Sequence, residues 1–243
     1  MSLPIIPRSR SIPPNIVVRV TEDEEEIAAA NRLVFRNYVE DGFWDNNEAQ
    51  LDNNRFLSSP ARTVCVVFED GNLIGTMSII LDSSLGLPSD GTQAVLTSHL
   101  RKRGTAIAEV SAFAMNRSRC SHRKVVLFLM SFVLQYSFYH AGIDRLIGSC
   151  KPEHADFYES ILCFSKISDL TYYDYSRAIG YLISLDLLEA HRLLWQKYPS
   201  NPTGESLYRF LLCDPQPCHI FPDRPLQRSR NINWLELSTS KVA

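Results

Sequence analysis

Glu109 is the residue around which chemistry could gather. It sits in AIAEVSAFAM, Ala106–Met115, an alternating run that reads as a half-buried strand with Ile107, Glu109 and Ser111 on one face and Ala108, Val110 and Ala112 on the other. A carboxylate in so apolar a strand is costly unless it is paired or functional, and it could serve as a general base, directly or through a water. The plain alternative is a solvated residue on an open sheet face. Arg117, Arg119, His122, Arg123 and Lys124 follow, in a loop and at the start of the next helix. Cations oppose the dipole at a helix N-terminus, so several together suggest that an external anion, a phosphate or an acidic protein surface, makes up the difference. Taken singly, each is more often part of a solvated loop. Tyr158, in HADFYES, could donate a proton to a leaving thiolate, although a core tyrosine with a satisfied hydroxyl is commoner.

These residues need a scaffold, and the chain order supplies one. Ile16 to Val20 reads as a strand, and Thr21 with Glu24 fits a capping box that opens a helix carrying Arg32 and Arg36. Asp41-Gly42 ends that helix, and Phe43-Trp44 then cap the core or line a cleft. A short helix follows over Glu48 to Phe56, and Asp70-Gly71 between Thr63–Glu69 and Leu73–Leu81 signals a hairpin. The turn-rich DSSLGLPSD, Asp82–Asp90, leads into a polar helix from Thr92 to Arg103. After the Glu109 strand, a buried helix from about His122 to Ala141 and a strand from Arg145 to Cys150 form a parallel crossover. His154 to Ile161 reads as a helix, Phe164–Ile167 and Tyr181–Leu185 as strands, and Leu187–Tyr198 as a closing helix. The fold class is α+β with one mixed sheet. Residues 1–14 read as a flexible N-terminal arm, 15–198 as one domain and 199–243 as a C-terminal extension.

Composition narrows the function classes. With 45% hydrophobic and 21% charged residues, the 243-residue chain can bury a large core. A net charge of -2 gives no overall pull toward nucleic acid, so any anion site must be local. The six cysteines form no CxxC pair and no histidine stands at metal spacing, which predicts reduced thiols, a cytoplasmic protein and no metal. The N-terminus has no apolar signal-peptide core, and the longest apolar run, Val125–Tyr139, falls short of the about 20 residues a bilayer span needs. There is no G-x-S-x-G, no P-loop and no G-x-G-x-x-G.

RLVFRNYVEDGF (Arg32–Phe43), GNLIGTMSIILD (Gly71–Asp82), SLGLPSD (Ser84–Asp90), AEVSAFAM (Ala108–Met115) and HADFYESILCF (His154–Phe164), in that order, resemble the long-chain N-acyl amino acid synthases. These are acyltransferases of the N-acetyltransferase-like (GNAT-like) superfamily, related to the acyl-homoserine-lactone synthases. The resemblance implies an acyl-CoA N-acyltransferase fold with splayed central strands. It implies transfer of a fatty acyl group from the phosphopantetheine of an acyl carrier protein to the amino group of an amino acid or related amine, with no tightly bound cofactor. On that pattern Glu109 deprotonates the amine, backbone amides near Phe113 polarise the thioester carbonyl and Tyr158 protonates the thiolate. Phe113, Ala114 and Met115 flank the pantetheine arm, Ser111 joins them in substrate binding, and Arg36 faces the acceptor carboxylate. The chain departs from the pattern where coenzyme A users carry a glycine-rich pyrophosphate loop, because residues 119–124 contain no glycine. That favours a carrier-borne donor, with Arg117, Arg119, Arg123 and Lys124 as its dock. Ser78 and Ala112 stand where the lactone synthases have arginine, and Cys163 stands where a glycine is usual. A coenzyme A-dependent short-chain acetyltransferase and a non-catalytic acyl-binding module remain open beside this reading.

Overall fold

A computed structural model describes residues 15–52, 54–118, 122–174, 176–200 and 206–223, leaving aside the side chains of residues 50, 52 and 122–124. The expected N-terminal arm, Arg119 and the end of the C-terminal extension lie outside the described residues. Chain order runs β1 (Ile16–Thr21), α1 (Glu24–Glu40), α2 (Ala49–Asp52), β2 (Arg62–Glu69), β3 (Asn72–Leu81), α3 (Asp90–Lys102), β4 (Ile107–Met115) and α4 (His122–Gln135). It continues with β5 (Arg145–Cys150), α5 (Pro152–Leu162), β6 (Ser165–Lys166), β7 (Thr171–Tyr173), β8 (Ala178–Asp186), α6 (Leu187–Lys197) and β9 (His219–Ile220). The strands form a mixed sheet in the order β6-β8-β5-β4-β3-β2-β1-β9, with β7 on β8. β4 and β5 are parallel, as the crossover predicts, and their neighbours β3 and β8 are antiparallel to them.

Two apolar faces hold this sheet between helices. One face, with Met77, Ile79, Ala108 and Leu146, packs on α4 residues such as Phe128 and Phe132. The other packs Val64, Val66, Ala112 and Ala114 on α1 residues, among them Ala30, Leu33 and Val34. The β2–β3 hairpin turns at Asp70 and Gly71, both at positive φ (50° and 73°), as the sequence signal requires. The capping box is displaced from the expected Thr21. Thr21 is the last residue of β1, paired with Val64, so Asp23 caps α1 instead and accepts the Glu26 N–H at 2.9 Å. Phe43 and Trp44 cap the core, with Trp44 buried under α1. Cys163 ends α5 in the left-handed region (φ 61°), the conformation for which a glycine would be the easier residue.

The C-terminal extension returns to the domain. β9 pairs in parallel with β1, and a wide π-type turn at Arg209–Cys213 packs on α4. This explains Gln135 in the apolar run of α4: its Nε2 donates to the carbonyls of Phe210, Leu211 and Asp214, while Ser131 and Tyr139 donate to those of Phe210 and Leu212. Histidines pin the same contact. His219 donates from Nε2 to the Phe128 carbonyl at 3.1 Å, and His191 meets the Tyr208 hydroxyl at 3.3 Å. Burial pulls both imidazoles down to about 4. A histidine whose folded pKa lies below its unfolded value contributes stability above the unfolded pKa and loses it as pH falls through the interval. Unfolding free energies from urea titrations are therefore expected to fall between about pH 6.5 and pH 4, by on the order of a few kcal/mol in total, with the extension loosening first. A flat stability profile over that interval would contradict the assignment.

Candidate active site

β4 supplies the base and the opening beside it. Its pairing with β5 is short: Ile107 with Arg145, Ala108 with Leu146 and Glu109 with Ile147. Beyond Ile147, β5 pairs with β8 alone, so the two central strands part directly after Glu109. A bulge in β4 accompanies the split, and Gly148 marks where β5 still runs close beside β4. Between Thr76 and Ser78 of β3, β4 carries an extra residue, and Ala112 takes φ 50° to accommodate it. Across the gap, Gly148 lies so near that a Cβ on it would come within 3.0 Å of the Val110 carbonyl. The bulge also breaks the alternation expected for the strand. Ala112 and Ala114 turn toward α1, while Phe113 and Met115 join the face that packs on α4. Asn37 of α1 fixes the far side of the bulge by accepting the Met115 N–H at 3.1 Å.

Glu109 is fully buried, in an apolar surround that includes Ile80, Leu87, Ile107 and Ile147. Ser89 holds it, donating its N–H to one carboxylate oxygen at 2.9 Å and its hydroxyl to the other at 2.7 Å. The segment that places Ser89 is itself braced. Arg101 grips Asp82 and Asp90 with pairs of bonds at 2.7–2.8 Å, and Asp90 accepts the Leu87 N–H at 2.8 Å. Gly86 (φ 78°) must lack a side chain, because a Cβ there would stand 2.5 Å from the Asp90 carboxylate. SLGLPSD is thus a clamp on the base. Removing the Ser89 hydroxyl leaves a buried carboxylate one donor short, so Ser89→Ala is expected to cost about 1–3 kcal/mol in chemical denaturation and to lower turnover at least about tenfold. Ser89→Thr, which keeps the hydroxyl, is expected to retain most of both; equal behaviour of Ser89→Ala and wild type would refute the clamp.

Tyr158, half-buried on α5, lies on the β5 side of the opening, where burial first and then Cys150 push its phenol up to about 12. Tyr38 of α1 is likewise pushed to about 12, by burial, then by Asp41, Tyr158 and Glu109, which puts it within electrostatic range of both the base and Tyr158. Asp41 straps the mouth. It accepts from Arg117, just past β4, at 2.6 Å and from Lys151, just past β5, at 3.3 Å. Burial alone would raise the Asp41 carboxyl, but those two cations hold it below the usual range.

β4 thus carries Glu109, Ser111, Phe113, Ala114 and Met115 in sequence, with Ser111 opposite Ser78 on the adjoining strand, while Glu109 and Tyr158 both lie within electrostatic range of Tyr38. Arg36 is exposed on α1, with no ion pair among the described residues. Arg117 is engaged by Asp41 and Glu40, so it can meet a docking partner only by exchanging them. Arg119 lies outside the described residues, as do the side chains of Arg123 and Lys124 in the first turn of α4. Ser89, Asn37, Tyr38 and Asp41 are site residues that sequence reasoning did not single out. Cavities of about 430 Å³ beside α6 and 500 Å³ beside Tyr139 and Phe221 lie elsewhere and do not involve Glu109.

Residues 29–186 match the family described as N-acyl amino acid synthase FeeM. The chain belongs to this family. FeeM, an N-acyl amino acid synthase from uncultured soil microbes, has a solved structure similar to this one, with 32% identity, a TM-score of 0.64 and coverage of 72% of this chain and 93% of that one. Two more distant structures share the fold. BjaI, a CoA-dependent acyl-homoserine lactone synthase solved with SAM and isopentyl-CoA, aligns at 11% identity and TM-score 0.52 over 75% of this chain and 89% of its own. A spermidine N-acetyltransferase from Vibrio cholerae, solved with CoA and spermine, aligns at 14% identity and TM-score 0.51 over 73% of this chain and 99% of its own. No curated protein matches. As a member of the synthase family the protein is an acyltransferase, and its sheet, divided beside Glu109, is the N-acyltransferase-like fold.

Proposed function

We propose that the protein transfers a long-chain fatty acyl group from the phosphopantetheine thioester of an acyl carrier protein to the amino group of an amino acid or related amine, in the cytoplasm. The observation that carries this reading is the buried Glu109, clamped by Ser89 at the last β4–β5 pair where the strands part. The thioester arm enters the gap beside Phe113, Ala114 and Met115. Glu109 takes the proton of the incoming ammonium, directly or through a water, and the freed amine attacks the thioester carbonyl. Backbone amides of β4 near Phe113, on a stretch released from β5, polarise the carbonyl oxygen as the C–N bond forms and the C–S bond breaks. Tyr158, at about 12, keeps its proton against a thiol of about 8.5, so it stabilises the departing sulfur by hydrogen bonding. The attacking nitrogen sheds its second proton to water as the amide forms, and the thiolate takes up a proton from solvent.

The donor assignment rests on residues 119–124, whose lack of glycine disfavours a coenzyme A pyrophosphate and whose cations suit an acidic carrier protein. Because Tyr158 acts in its protonated form, kcat is expected to show no alkaline fall from this group below about pH 11. Tyr158→Phe is expected to lower kcat about tenfold without adding an alkaline limb. A wild-type fall centred near pH 9 that disappears in Tyr158→Phe would contradict the role. The function itself is tested by mass spectrometry of organic extracts from cells overproducing the protein. A new long-chain N-acyl amino acid is expected, and extracts identical to those from cells making Glu109→Gln would count against it.

A further inference from the structure

Arg62 opens β2 and has no charged partner among the described residues. Its Nε donates to the Ser78 hydroxyl at 2.8 Å and its Nη1 to the Leu57 carbonyl at 2.6 Å, both neutral acceptors. Its Nη2 is buried with no hydrogen-bond partner. Burial draws the guanidinium down to about 10, and no carboxylate offsets that effect. A cation withdrawn from water with neutral partners only and one donor nitrogen unmet is expensive, and a carboxylate is the ligand that a guanidinium fork fits.

The register places this cation on the face of the base. Arg62 pairs with Ile80, and Ile80 pairs with Glu109, so the three side chains share one side of the sheet. Two strand spacings separate the Cα atoms of Arg62 and Glu109, about 10 Å. The Arg62 side chain crosses part of that span, since it reaches Ser78, and Ser78 stands opposite Ser111. In an α-amino acid a single carbon separates carboxylate from amine. A carboxylate held at the guanidinium would leave its amine on the Glu109 side.

We propose that Arg62 anchors the carboxylate of the acceptor, so that the enzyme selects amino acids over amines lacking that group. This rests on the acyltransfer reading above and moves the anchoring role from the exposed Arg36 to the half-buried Arg62. Nη2 is closed off from water, so the carboxylate reaches it as the adjoining Leu57 segment gives way.

The test uses the full chain with a long-chain acyl carrier protein. The acceptors are the best substrate from a panel of common amino acids, its carboxamide and its decarboxylated amine. Wild type is expected to favour the amino acid over the carboxamide at least about 100-fold in kcat/KM. Arg62→Met is expected to erase that preference, chiefly through the acceptor KM, with a much larger loss for the amino acid than for the carboxamide. Arg62→Lys, which keeps the charge without the fork and serves if the methionine variant does not fold, is expected to lose part of the preference. A preference unchanged in the variants, or equal losses for amino acid and carboxamide, would overturn the anchor. Amide formation by wild type that ignores the carboxylate sinks the anchor alone; no amide from any acceptor sinks the acyltransfer reading and the anchor with it.

Discussion

Glu109→Gln is expected to lower kcat for amide formation about 100- to 10,000-fold, the range over which general acid–base catalysis operates. The substitution conserves shape in a site with no room for error, since Glu109 has no exposed surface. Both carboxylate oxygens accept from Ser89, one from its N–H and one from its hydroxyl. A glutamine can keep its carbonyl oxygen on the fixed N–H and turn its NH2 toward the hydroxyl, which rotates to accept. The fold is therefore expected to survive with a near-native urea midpoint, and affinity for the acyl donor is expected to hold. Only the ability to take a proton is lost. A variant within about threefold of wild type would remove Glu109 from the chemistry and leave it a structural group.

The largest expected loss of stability is at Gly180. A Cβ built there would stand 2.6 Å from the Cys150 carbonyl oxygen and 3.2 Å from its carbonyl carbon, and backbone atoms cannot rotate aside. Gly180→Ala must push β8 and the end of β5 apart, at a cost of about 2–4 kcal/mol in urea or thermal unfolding. The movement reaches the site, because Lys151 follows Cys150 and holds Asp41 across the mouth. Turnover is expected to fall with stability. An alanine variant as stable as wild type would show that this crowding is absent in the folded protein.

Much of the scaffold could be read in the sequence because it depends on local pattern. Alternation marks the strand of Glu109, Asp70-Gly71 marks the hairpin, and the apolar run after residue 124 marks the buried helix. The order strand, helix, strand fixed the parallel pairing of β4 and β5. What escaped depends on partners far along the chain. The bulge at Ala112 has no glycine to announce it; its conformation is imposed by the β3 register and by Asn37 of α1 on the Met115 N–H. Ser89 reaches Glu109 across an intervening helix, and SLGLPSD taken alone looks like a connecting loop. Arg62 reads as a charged strand end until the ladder places it on the face of Glu109. β7 and β9 are too short to show a period, and β9 owes its place to β1 and to His219 on α4.

The most direct measurement supplies purified protein with an amino acid panel and one long-chain acyl group, carried either on acyl carrier protein or on coenzyme A. Amide and released thiol are then quantified together. The expected result is one amide per thiol from the carrier-borne donor, with coenzyme A a much poorer substrate. Amide formed from the coenzyme A donor alone, or thiol released without amide, would contradict the assignment of Glu109 and the divided strands to carrier-dependent N-acyl transfer.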